Sequence, residues 1–526
     1  MAEVSTNEAT NAKTNVAGMS AGQRMRRWVA SDVGVLILVA LTRIAIQTVF
    51  NGRYGWHRDE LATLEDAKHL AWGYVVYPPV TPFICRVSLV LFGPSLVMLR
   101  LSALLAQGGG MVLTGLMTRE LGAKRFWQIV AALAAAITPV SLASGTMFQY
   151  VSFDCLWWVL IAYFMIRLLK SEDGRWWLAI GAGIGLGAMT KFTMAFYVAG
   201  IVGAVVLTKT RRYLRSPWLW CGVAISILIF LPNLVWQVHH NFITLDFLKY
   251  IHARDVRAGK ADGFLLHQLW VDANPVTLPI WLAGLYYFFF VPEGKRYRAI
   301  GWMYVITLAL FAIAKGRDYY VSPAYPMLLA GGAAWFERWG SMLPEERARI
   351  VRRVALRAEI VSGVLVALMV MPIPSPSSRW FAIADKINGG NFNEEFGWRE
   401  MVAEVARVRD SLPLERRVHL AIFAGDAGQA GAINLYGAAY ALPNVISGSN
   451  SQWFLGYGDP PPETLITVGI KKQELERGFE SVEWAGHFES RYGIENSAIG
   501  DDRQDIFICR GPREPWPELW KTHWYG

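Results

Sequence analysis

The chain has 526 residues, 53% of them hydrophobic, and a formal net charge of +9. Long apolar runs recur from residue 31 to residue 374, which excludes an ordinary soluble enzyme and predicts a polytopic α-helical membrane protein. In such a protein the positive charge mostly reports topology. Because no basic segment carries interleaved aromatic residues, nucleic-acid binding is not expected.

The first 30 residues are polar and rich in small side chains, as in "MAEVSTNEATNAKTNVAGMSAGQ". This composition predicts a disordered cytoplasmic segment. No signal-peptide pattern is visible, and three arginines precede the first apolar run, namely Arg24, Arg26 and Arg27. The first run is therefore predicted to remain in the membrane as an anchor.

Eleven apolar segments come close to the length that crosses a hydrocarbon core, and we predict about eleven transmembrane helices within residues 31–374. These segments are 31–50, 99–118, 126–145, 153–169, 176–190, 192–208, 216–236, 275–291, 299–314, 321–337 and 358–374.

Lysine and arginine are unevenly distributed among the connecting loops. If residues 1–30 are cytoplasmic, this segment and the loops on its side hold 23 lysines and arginines, whereas the short loops on the other side hold three. The positive-inside rule then puts the amino terminus in the cytoplasm. An odd number of spans puts the carboxyl-terminal part of the chain outside.

Two longer segments between spans are also predicted outside. Residues 51–98 and 237–274 combine amphipathic helical periodicity with aromatic side chains, as helices lying in a membrane interface do.

The composition changes at "PIPSPSS", which is typical of a linker. Beyond it, residues 375–526 are predicted to form an external, periplasmic α/β domain. Helices are expected at "WREMVAEVARVRDSL" and "AGQAGAINLYGAAY", and strands at "RRVHLAIFAG", "ETLITVGI" and "DIFICRG".

An acidic pair, Asp59 and Glu60, begins a predicted helix in "DELATLEDAKHLAWG". Acidic residues in a first turn are favoured by the helix dipole, which is one explanation of the pair. The other is catalytic, because a carboxylate at the membrane surface can accept a proton from an acceptor hydroxyl. Glu65 and Asp66, farther along, are expected on a solvated face, and Arg100 is expected to reach the interface.

Two isolated charges lie at the outer ends of predicted spans. Asp154 begins one span and is either a helix N-terminal carboxylate or a group facing the same cavity as Asp59. Lys191 lies between two very apolar stretches. It either extends to the interface or binds an anion, for which a lipid phosphate is the natural partner at this depth.

The segment "AKGRDYYVSPAYP" adds further phosphate-binding chemistry before a later span. Arg317 can contact a phosphate with two N–H groups, and the hydroxyls of Tyr319 and Tyr320 can donate to its oxygens. Cationic residues beside external carboxylates indicate an anionic, lipid-borne substrate. Arg43, inside the first apolar run, must pair or reach water.

No cofactor is predicted, and a divalent metal is left open. The histidines of the second outer segment lack a tight ligand spacing. They are His239, His240, His252 and His267. The four cysteines form no CxxC pair, and a disulfide between Cys85 and Cys509 is left open.

Four segments within residues 50–335 together resemble the dolichyl-phosphate-mannose protein mannosyltransferase superfamily, glycosyltransferase family 39, and its bacterial members similar to the lipid A aminoarabinose transferase. They are "HRDELATLEDAKHLAWGYVVYPPVTPFI…LFGPSLVMLRLSALL", "SFDCLWWVLIAYFMIRLL", "GIGLGAMTKFTMAFY" and "KGRDYYVSPAYPMLLAGGA".

This resemblance implies a C-type glycosyltransferase fold and a sugar donor on a polyprenyl phosphate, bound from the outer leaflet. It implies that Asp59 is the catalytic carboxylate with Glu60 beside it, that Asp154 is a second outer acidic residue, and that Lys191 and Arg317 hold the donor phosphate. The eukaryotic members carry a β-trefoil insert, for which residues 237–274 leave no room. A protein acceptor is therefore not supported, and lipid A is not established.

The resemblance and the charges together predict a membrane glycosyltransferase that inverts the anomeric centre at the outer face of the cytoplasmic membrane. Its expected partners are the polyprenyl-phosphate sugar, membrane lipids and a lipid, glycan or protein acceptor. The expected substrate-binding residues are Asp154, Lys191, Arg317, Tyr319 and Tyr320. Two alternatives are a transporter or flippase for a lipid-linked anion, and a non-catalytic assembly subunit.

Overall fold

The computed structural model describes residues 20–521, apart from residues 271, 444, 501 and 502. Most of the predicted disordered segment 1–30 lies outside the described residues. Its described end forms helix α1, Ala21–Val29, where no helix was predicted.

The membrane half of the chain is helical. Its helices after α1 are α2 (Asp32–Phe50), α3 (Arg58–Lys68), α4 (Val80–Phe92), α5 (Leu96–Glu120), α6 (Arg125–Ala136), α7 (Pro139–Ser144), α8 (Tyr150–Ser171), α9 (Trp176–Ala188), α10 (Met194–Leu207), α11 (Pro217–His239), α12 (Ile243–Arg257), α13 (Phe264–Trp270), α14 (Leu278–Phe290), α15 (Arg298–Ile313), α16 (Tyr325–Ser341) and α17 (Glu345–Val370).

Five helical segments of the described chain are long and apolar enough to cross a membrane, or six if the bent pair Met194–Leu207 and Lys209–Arg215 is one span. The five are Asp32–Phe50, Leu96–Glu120, Tyr150–Ser171, Pro217–His239 and Gly294–Ile313. Each of the eleven predicted spans coincides with helical structure. Several of these helices are short, however, so the number eleven stays a prediction.

Glycine lets several of these helices meet at backbone distance. A Cβ at Gly284 of α14 would collide with the carbonyl oxygen of Leu328 in α16, and one at Gly332 of α16 would collide with that of Ile280. Gly181 of α9 meets α11 at Gly222 in the same way. Small residues at such crossings are a recurrent means of packing helices in membranes.

The two long segments between spans hold the short helices predicted there. Residues 51–98, the first loop, contain α3 and α4, and residues 237–274, the second loop, contain α12 and α13. Helix α4 begins directly after Pro78 and Pro79, as expected because proline fits the start of a helix and not its interior.

The carboxyl-terminal part contains a five-stranded sheet and further helices. The helices are α18 (Arg379–Ile387), α19 (Trp398–Ser411), α20 (Ala427–Tyr436), α21 (Lys472–Gly478) and α22 (Trp516–Leu519). The strands are β1 (Leu420–Ala424), β2 (Val445–Ile446), β3 (Thr464–Val468), β4 (Phe479–His487) and β5 (Asp505–Pro512). Their order is β2-β1-β3-β5-β4.

The pairing type within the sheet changes once, from parallel to antiparallel, at the pair formed by β3 and β5. Strand β1 pairs in parallel with β2 and β3, whereas β5 pairs antiparallel with β3 and β4. All five residues of β1 and of β3 are buried, as expected for central strands covered on both faces. The helices and strands predicted in this part are present. Strands β2 and β4 were not predicted.

The carboxyl-terminal part shares its hydrophobic core with the first loop. Leu61 and Leu64 of α3 are buried in one cluster with Val402 of α19 and Ile433 of α20. Helix α20 lies so close to α3 that a Cβ at Gly431 would collide with the carbonyl oxygen of Leu61. The described residues of the carboxyl-terminal part are thus packed onto the first loop, which brings them to the site described below.

Candidate active site

The first turn of α3 is fixed by a reciprocal capping arrangement. His57 precedes the helix, and its ring Nδ1 accepts a hydrogen bond of 3.1 Å from the backbone N–H of Asp59. The backbone N–H of His57 in turn donates to Glu60 Oε2 at 2.9 Å. This capping box satisfies N–H groups that a helix start would otherwise leave unpaired, and it holds the acidic pair rigidly.

Glu60 lies in the protein interior and not in the cavity described below. Arg100 of α5 donates to both carboxylate oxygens of Glu60, at 2.8 Å and 2.7 Å. The backbone N–H of Phe148 donates to the same carboxylate at 2.8 Å, and Glu395 accepts from Arg100 at 3.1 Å. Glu60 is fully buried by these partners, so its position is that of a structural support beside Asp59.

Arg100 itself was expected to extend to the interface, and this prediction was wrong. Its side chain is fully buried and joins three parts of the chain, namely α5, the start of α3 and the residues before α19. A buried arginine is tolerated here because carboxylates and backbone carbonyls accept from it.

Asp59 has the opposite environment, with a side chain 41% exposed. Arg58 Nε donates to its Oδ1 at 3.2 Å, and Gln149 Nε2 donates to its Oδ2. Desolvation acts to raise the pKa of Asp59, but the charge of Arg58 and its hydrogen bond outweigh this effect and hold the pKa below its ordinary value. The carboxylate is therefore ionised at neutral pH.

A cavity of about 560 Å³ opens in front of Asp59. Its walls come from the first loop, the second loop, the segments around Lys191 and Arg317, and the carboxyl-terminal part. Four of the predicted site residues line it: Asp59, Lys191, Arg317 and Tyr320. The volume suits a substrate of the size of one or two sugar rings.

Lys191 occupies the turn between α9 and α10 and points into a group of tyrosine rings. Its Nζ lies 3.9 Å from the ring centre of Tyr150, 4.1 Å from that of Tyr320 and 5.4 Å from that of Tyr319. Aromatic faces attract a cation, which holds the ammonium at the cavity wall. Tyr319 does not line the cavity, yet it contributes to this enclosure.

Arg317 is paired within the protein. Its Nε donates to Asp255 Oδ2 of α12 at 2.6 Å, and its Nη1 donates to the hydroxyl of Tyr319 at 3.4 Å. Lys260 lies 3.8 Å from the other oxygen of Asp255. The cationic region thus includes Lys260, which was not predicted, and the Asp255 carboxylate of the second loop partly neutralises it.

Asp154 lies behind the cavity lining. It is buried and accepts from Trp158 Nε1 at 3.0 Å and from Thr193 Oγ1 at 3.4 Å. Because Thr193 follows Lys191 by two residues, these hydrogen bonds help to fix the turn that carries the lysine. The structure does not bring the Asp154 carboxylate to the cavity beside Asp59.

Glu65 and Asp66 were expected on a solvated face, and this prediction was wrong. Glu65 is buried and bonded to Lys68 and to Asn434 of α20. Asp66 lines the cavity, where the hydroxyl of Tyr77 donates to its Oδ2 at 2.6 Å. Burial raises the pKa of Asp66 to about 7. Its spacing of seven residues from Asp59, two helical turns, could have revealed the shared face.

Further lining residues come from parts of the chain that sequence reasoning did not connect with the site. They are Gln149 and Tyr150 at the start of α8, His252 and Asp255 of α12, and Asp426 and Ser451 of the carboxyl-terminal part. Only packing in three dimensions joins them to Asp59.

The remaining predictions concern single residues. Arg43 finds partners in Gln47 at 3.0 Å and the backbone oxygen of Ser141 at 2.7 Å. The thiols of Cys85 and Cys509 are free and lie in different hydrophobic clusters. Within the described part of the chain, no group of three or more His, Cys, Asp or Glu side chains could hold a metal ion.

Comparison with known proteins gives a family match in the membrane half. Residues 76–236 match the family model described as dolichyl-phosphate-mannose-protein mannosyltransferase. A lipid A galacturonosyltransferase, RgtD, of Rhizobium johnstonii is 25% identical over 229 residues, which are 42% of this chain. The alignment spans about half, 46%, of that relative.

Comparison with solved structures extends the likeness to nearly the whole chain. ArnT from Cupriavidus metallidurans in the apo state has a TM-score of 0.59 at 14% identity, covering 92% of this chain and 98% of that one. The same protein bound to undecaprenyl phosphate gives 0.56, with 90% and 97% covered, also at 14% identity. The mycobacterial arabinofuranosyltransferase AftD gives 0.50 at 14% identity, with 92% and 40% covered.

These likenesses identify the architecture. The chain has the C-type glycosyltransferase fold of multi-pass membrane proteins with a small carboxyl-terminal sheet domain. Its predicted resemblance to the dolichyl-phosphate-mannose protein mannosyltransferase superfamily is confirmed.

Proposed function

We propose that this protein is a glycosyltransferase that moves a sugar from a polyprenyl-phosphate donor to an acceptor hydroxyl. The observation that carries the proposal is the cavity that joins the ionised carboxylate of Asp59 to Lys191 and Arg317. A transferase of this kind needs a proton acceptor and a cationic site for the leaving phosphate. The family match and the undecaprenyl phosphate bound by the similar ArnT support the choice of donor.

In the proposed reaction the acceptor oxygen attacks the anomeric carbon of the donor sugar. The new carbon–oxygen bond forms as the bond from that carbon to the phosphate oxygen breaks. The leaving polyprenyl phosphate keeps the electron pair, and the acceptor proton passes to Asp59. A single displacement inverts the anomeric centre.

The remaining cavity residues have supporting roles in this scheme. Lys191 and Arg317 offset the charge that develops on the phosphate, and the hydroxyl of Tyr320 donates to it. Gln149 and Arg58 hold the Asp59 carboxylate toward the acceptor.

We further propose that the protein resides in the cytoplasmic (inner) membrane, with its amino terminus in the cytoplasm. The excess of lysine and arginine in alternate loops supports this orientation. The cavity and residues 375–526 are then periplasmic, where lipid-linked sugars of the outer leaflet are accessible.

Asp59→Asn tests the assignment of the proton acceptor. The purified variant should fold and bind undecaprenyl phosphate, while its maximal rate of sugar transfer should fall about 100-fold or more, because an amide cannot accept the proton. The donor is the lipid-linked sugar that accumulates in cells lacking the gene, and product is measured by mass spectrometry. Asp410→Asn, at a largely exposed carboxylate outside the cavity, is the matched control. Near-normal transfer by Asp59→Asn would refute the role of Asp59.

The same preparation separates transfer from transport. If the wild-type protein moves a lipid-linked sugar across vesicle membranes and forms no glycosidic bond in the presence of envelope extract, the protein is a flippase and the proposal fails.

A further inference from the structure

The cavity is divided by charge, and the division follows the elements that build it. Its cationic side chains outside α3 come from the segments around Lys191 and Lys315–Arg317 and from the second loop, where Lys260 contributes. Its other wall carries mostly carboxylates and neutral polar groups, with the cation of Arg58 paired to Asp59 at 3.2 Å. That wall consists of Arg58, Asp59, Thr63 and Asp66 of α3, Tyr77, and residues 426–428 and 450–452.

The geometry of a single displacement indicates which wall binds the donor phosphate and which wall binds the acceptor. In a single displacement the acceptor oxygen enters opposite the leaving phosphate. Because the phosphate belongs with Lys191 and Arg317, the acceptor approaches Asp59 from the acidic and neutral wall. Asp66 lies two turns beyond Asp59 on the same helix, about 10 Å along its axis, which leaves room for one sugar ring.

Asp66 is held in a network suited to hydroxyl groups. The hydroxyl of Tyr77 lies 2.6 Å from Asp66 Oδ2 and 3.1 Å from Thr63 Oγ1. The Tyr77 ring lies 6.5 Å from that of Tyr150, so an apolar face adjoins the polar groups. Carboxylate, hydroxyl and aromatic faces together are the groups that bind carbohydrate, since sugars present hydroxyls at their edges and C–H bonds on their faces.

The carboxyl-terminal part covers this network. Ser451 Oγ accepts from the backbone N–H of Val75 at 2.9 Å, and Gln452 Nε2 donates to the backbone oxygen of Ala427 at 3.2 Å. The two segments 426–428 and 450–452 are thereby fixed to each other and to the first loop. Asp426, which begins α20, adds a further carboxylate to the wall.

We propose that Asp66, Tyr77 and Thr63, covered by residues 426–428 and 450–452, form the acceptor subsite and bind a hydroxyl-rich sugar unit without phosphate. The inference rests on the proposed transferase function. Asp66 and Tyr77 are positioning residues that orient the acceptor for attack. With Arg58 already paired to Asp59, the further carboxylates Asp66 and Asp426 make this wall unfavourable for a phosphorylated group.

Asp66→Asn in the full-length protein tests this subsite through separate titrations of donor and acceptor. The donor is the accumulated lipid-linked sugar, and the acceptor is envelope extract from cells lacking the gene. We expect the half-saturating amount of extract to rise about tenfold or more, because a hydrogen bond to a charged group is lost. The half-saturating donor concentration should not change, and the maximal rate should stay within about threefold.

Two further variants keep the test independent of folding. Tyr77→Phe removes one hydroxyl and should shift the acceptor titration in the same direction by a smaller factor. Asp410→Asn should shift neither titration. Thermal stabilisation by undecaprenyl phosphate, measured for each variant, verifies that the donor side is intact.

The outcomes separate the two proposals. If the wild-type protein transfers no sugar, the proposed function fails. If it transfers sugar and Asp66→Asn leaves the acceptor titration unchanged, or shifts the donor titration instead, the acceptor subsite is refuted alone. Phosphatase treatment of the extract should leave its acceptor activity intact, and loss of that activity would overturn the assignment to a sugar without phosphate.

Discussion

The chemistry open to Asp59 follows from its immediate neighbours. Arg58 holds the pKa of its carboxyl group below the ordinary value against the effect of desolvation, and Gln149 donates to one of its oxygens. Such a carboxylate is ionised over the neutral range and keeps a fixed orientation, so it can align an acceptor hydroxyl and take its proton as the new bond forms. Glu60, one residue later, cannot act in this way because it is buried and Arg100 donates to both of its oxygens.

Lys191 offers a test of the cationic side at the scale of one residue. Lys191→Ala removes the ammonium held between Tyr150 and Tyr320, and we expect the half-saturating donor concentration to rise about tenfold or more, as for loss of a charge-assisted hydrogen bond. The measurement is a donor titration with saturating acceptor. Lys249→Ala, at a highly exposed lysine of α12, is the control. An unchanged titration would mean that Lys191 does not bind the donor phosphate.

Asp66 predicts a pH dependence of acceptor use. Its pKa is raised to about 7, chiefly by burial, against the hydrogen bond from Tyr77 and together with the charge of Glu65. The carboxyl group is protonated below this pKa and ionised above it. The half-saturating amount of acceptor should therefore fall as the pH rises from about 6 to about 8.

In Asp66→Asn the acceptor titration should lose this change with pH, because the amide does not titrate. Equal profiles for the variant and the wild type would show that another group is responsible. Tyr74, Tyr77 and Cys85, titratable groups of the first loop that interact with Asp66, have their pKa values raised and stay neutral in this range.

Helix α3 is the element on which the site depends. One of its faces lines the cavity, and the other is buried in the hydrophobic core. One face carries Asp59, Thr63 and Asp66 to the cavity. The opposite face buries Leu61 and Leu64 against the carboxyl-terminal part. Sequence periodicity predicted the helix and its acidic start. It did not predict which face would be covered, because the covering helix α20 is more than 350 residues away in the chain.

Gly431 tests this contact between elements. In Gly431→Ala the new methyl group would collide with the backbone of α3 at Leu61, at a cost of about 1–3 kcal/mol for overpacking. We expect a lower thermal unfolding midpoint, faster proteolysis near residues 375–378 and reduced transfer. Gly340→Ala, where a Cβ would meet nothing within 4 Å, is the matched control. Equal behaviour of the two variants would show that the close approach of α20 is unimportant.

For the molecule as a whole, the sequence predicted the membrane class, the helical segments and most of the sheet domain. Apolar length and strand periodicity are local properties, so these predictions needed no knowledge of packing. In contrast, Arg317 pairs with Asp255, and Glu60 pairs with Arg100. The sequence spacing of these residues does not predict either pair. The charged residues Asp59, Lys191 and Arg317 were found from the sequence, whereas Asp255, Lys260 and Asp426 were missed.

The orientation of the chain in the membrane can be tested with two variants that each carry one introduced cysteine at an exposed position. Cys221, the exposed native thiol, is first replaced by alanine. Glu415→Cys lies on the sheet domain, and Glu346→Cys lies at the start of α17, both at exposed positions. In intact spheroplasts a membrane-impermeant maleimide should label the cysteine at 415 and not that at 346. The reverse pattern, or equal labelling before permeabilisation, would contradict the proposed topology.

The mixed origin of the cavity wall has a consequence for biosynthesis. Asp59 emerges from the ribosome early, whereas residues 450–452 are translated after every predicted span. A nascent chain already inserted in the bilayer therefore lacks the part of the cavity wall that residues 450–452 supply in the finished protein. Under the proposed function, we expect chains truncated before residue 450 to insert into the membrane without transferring sugar.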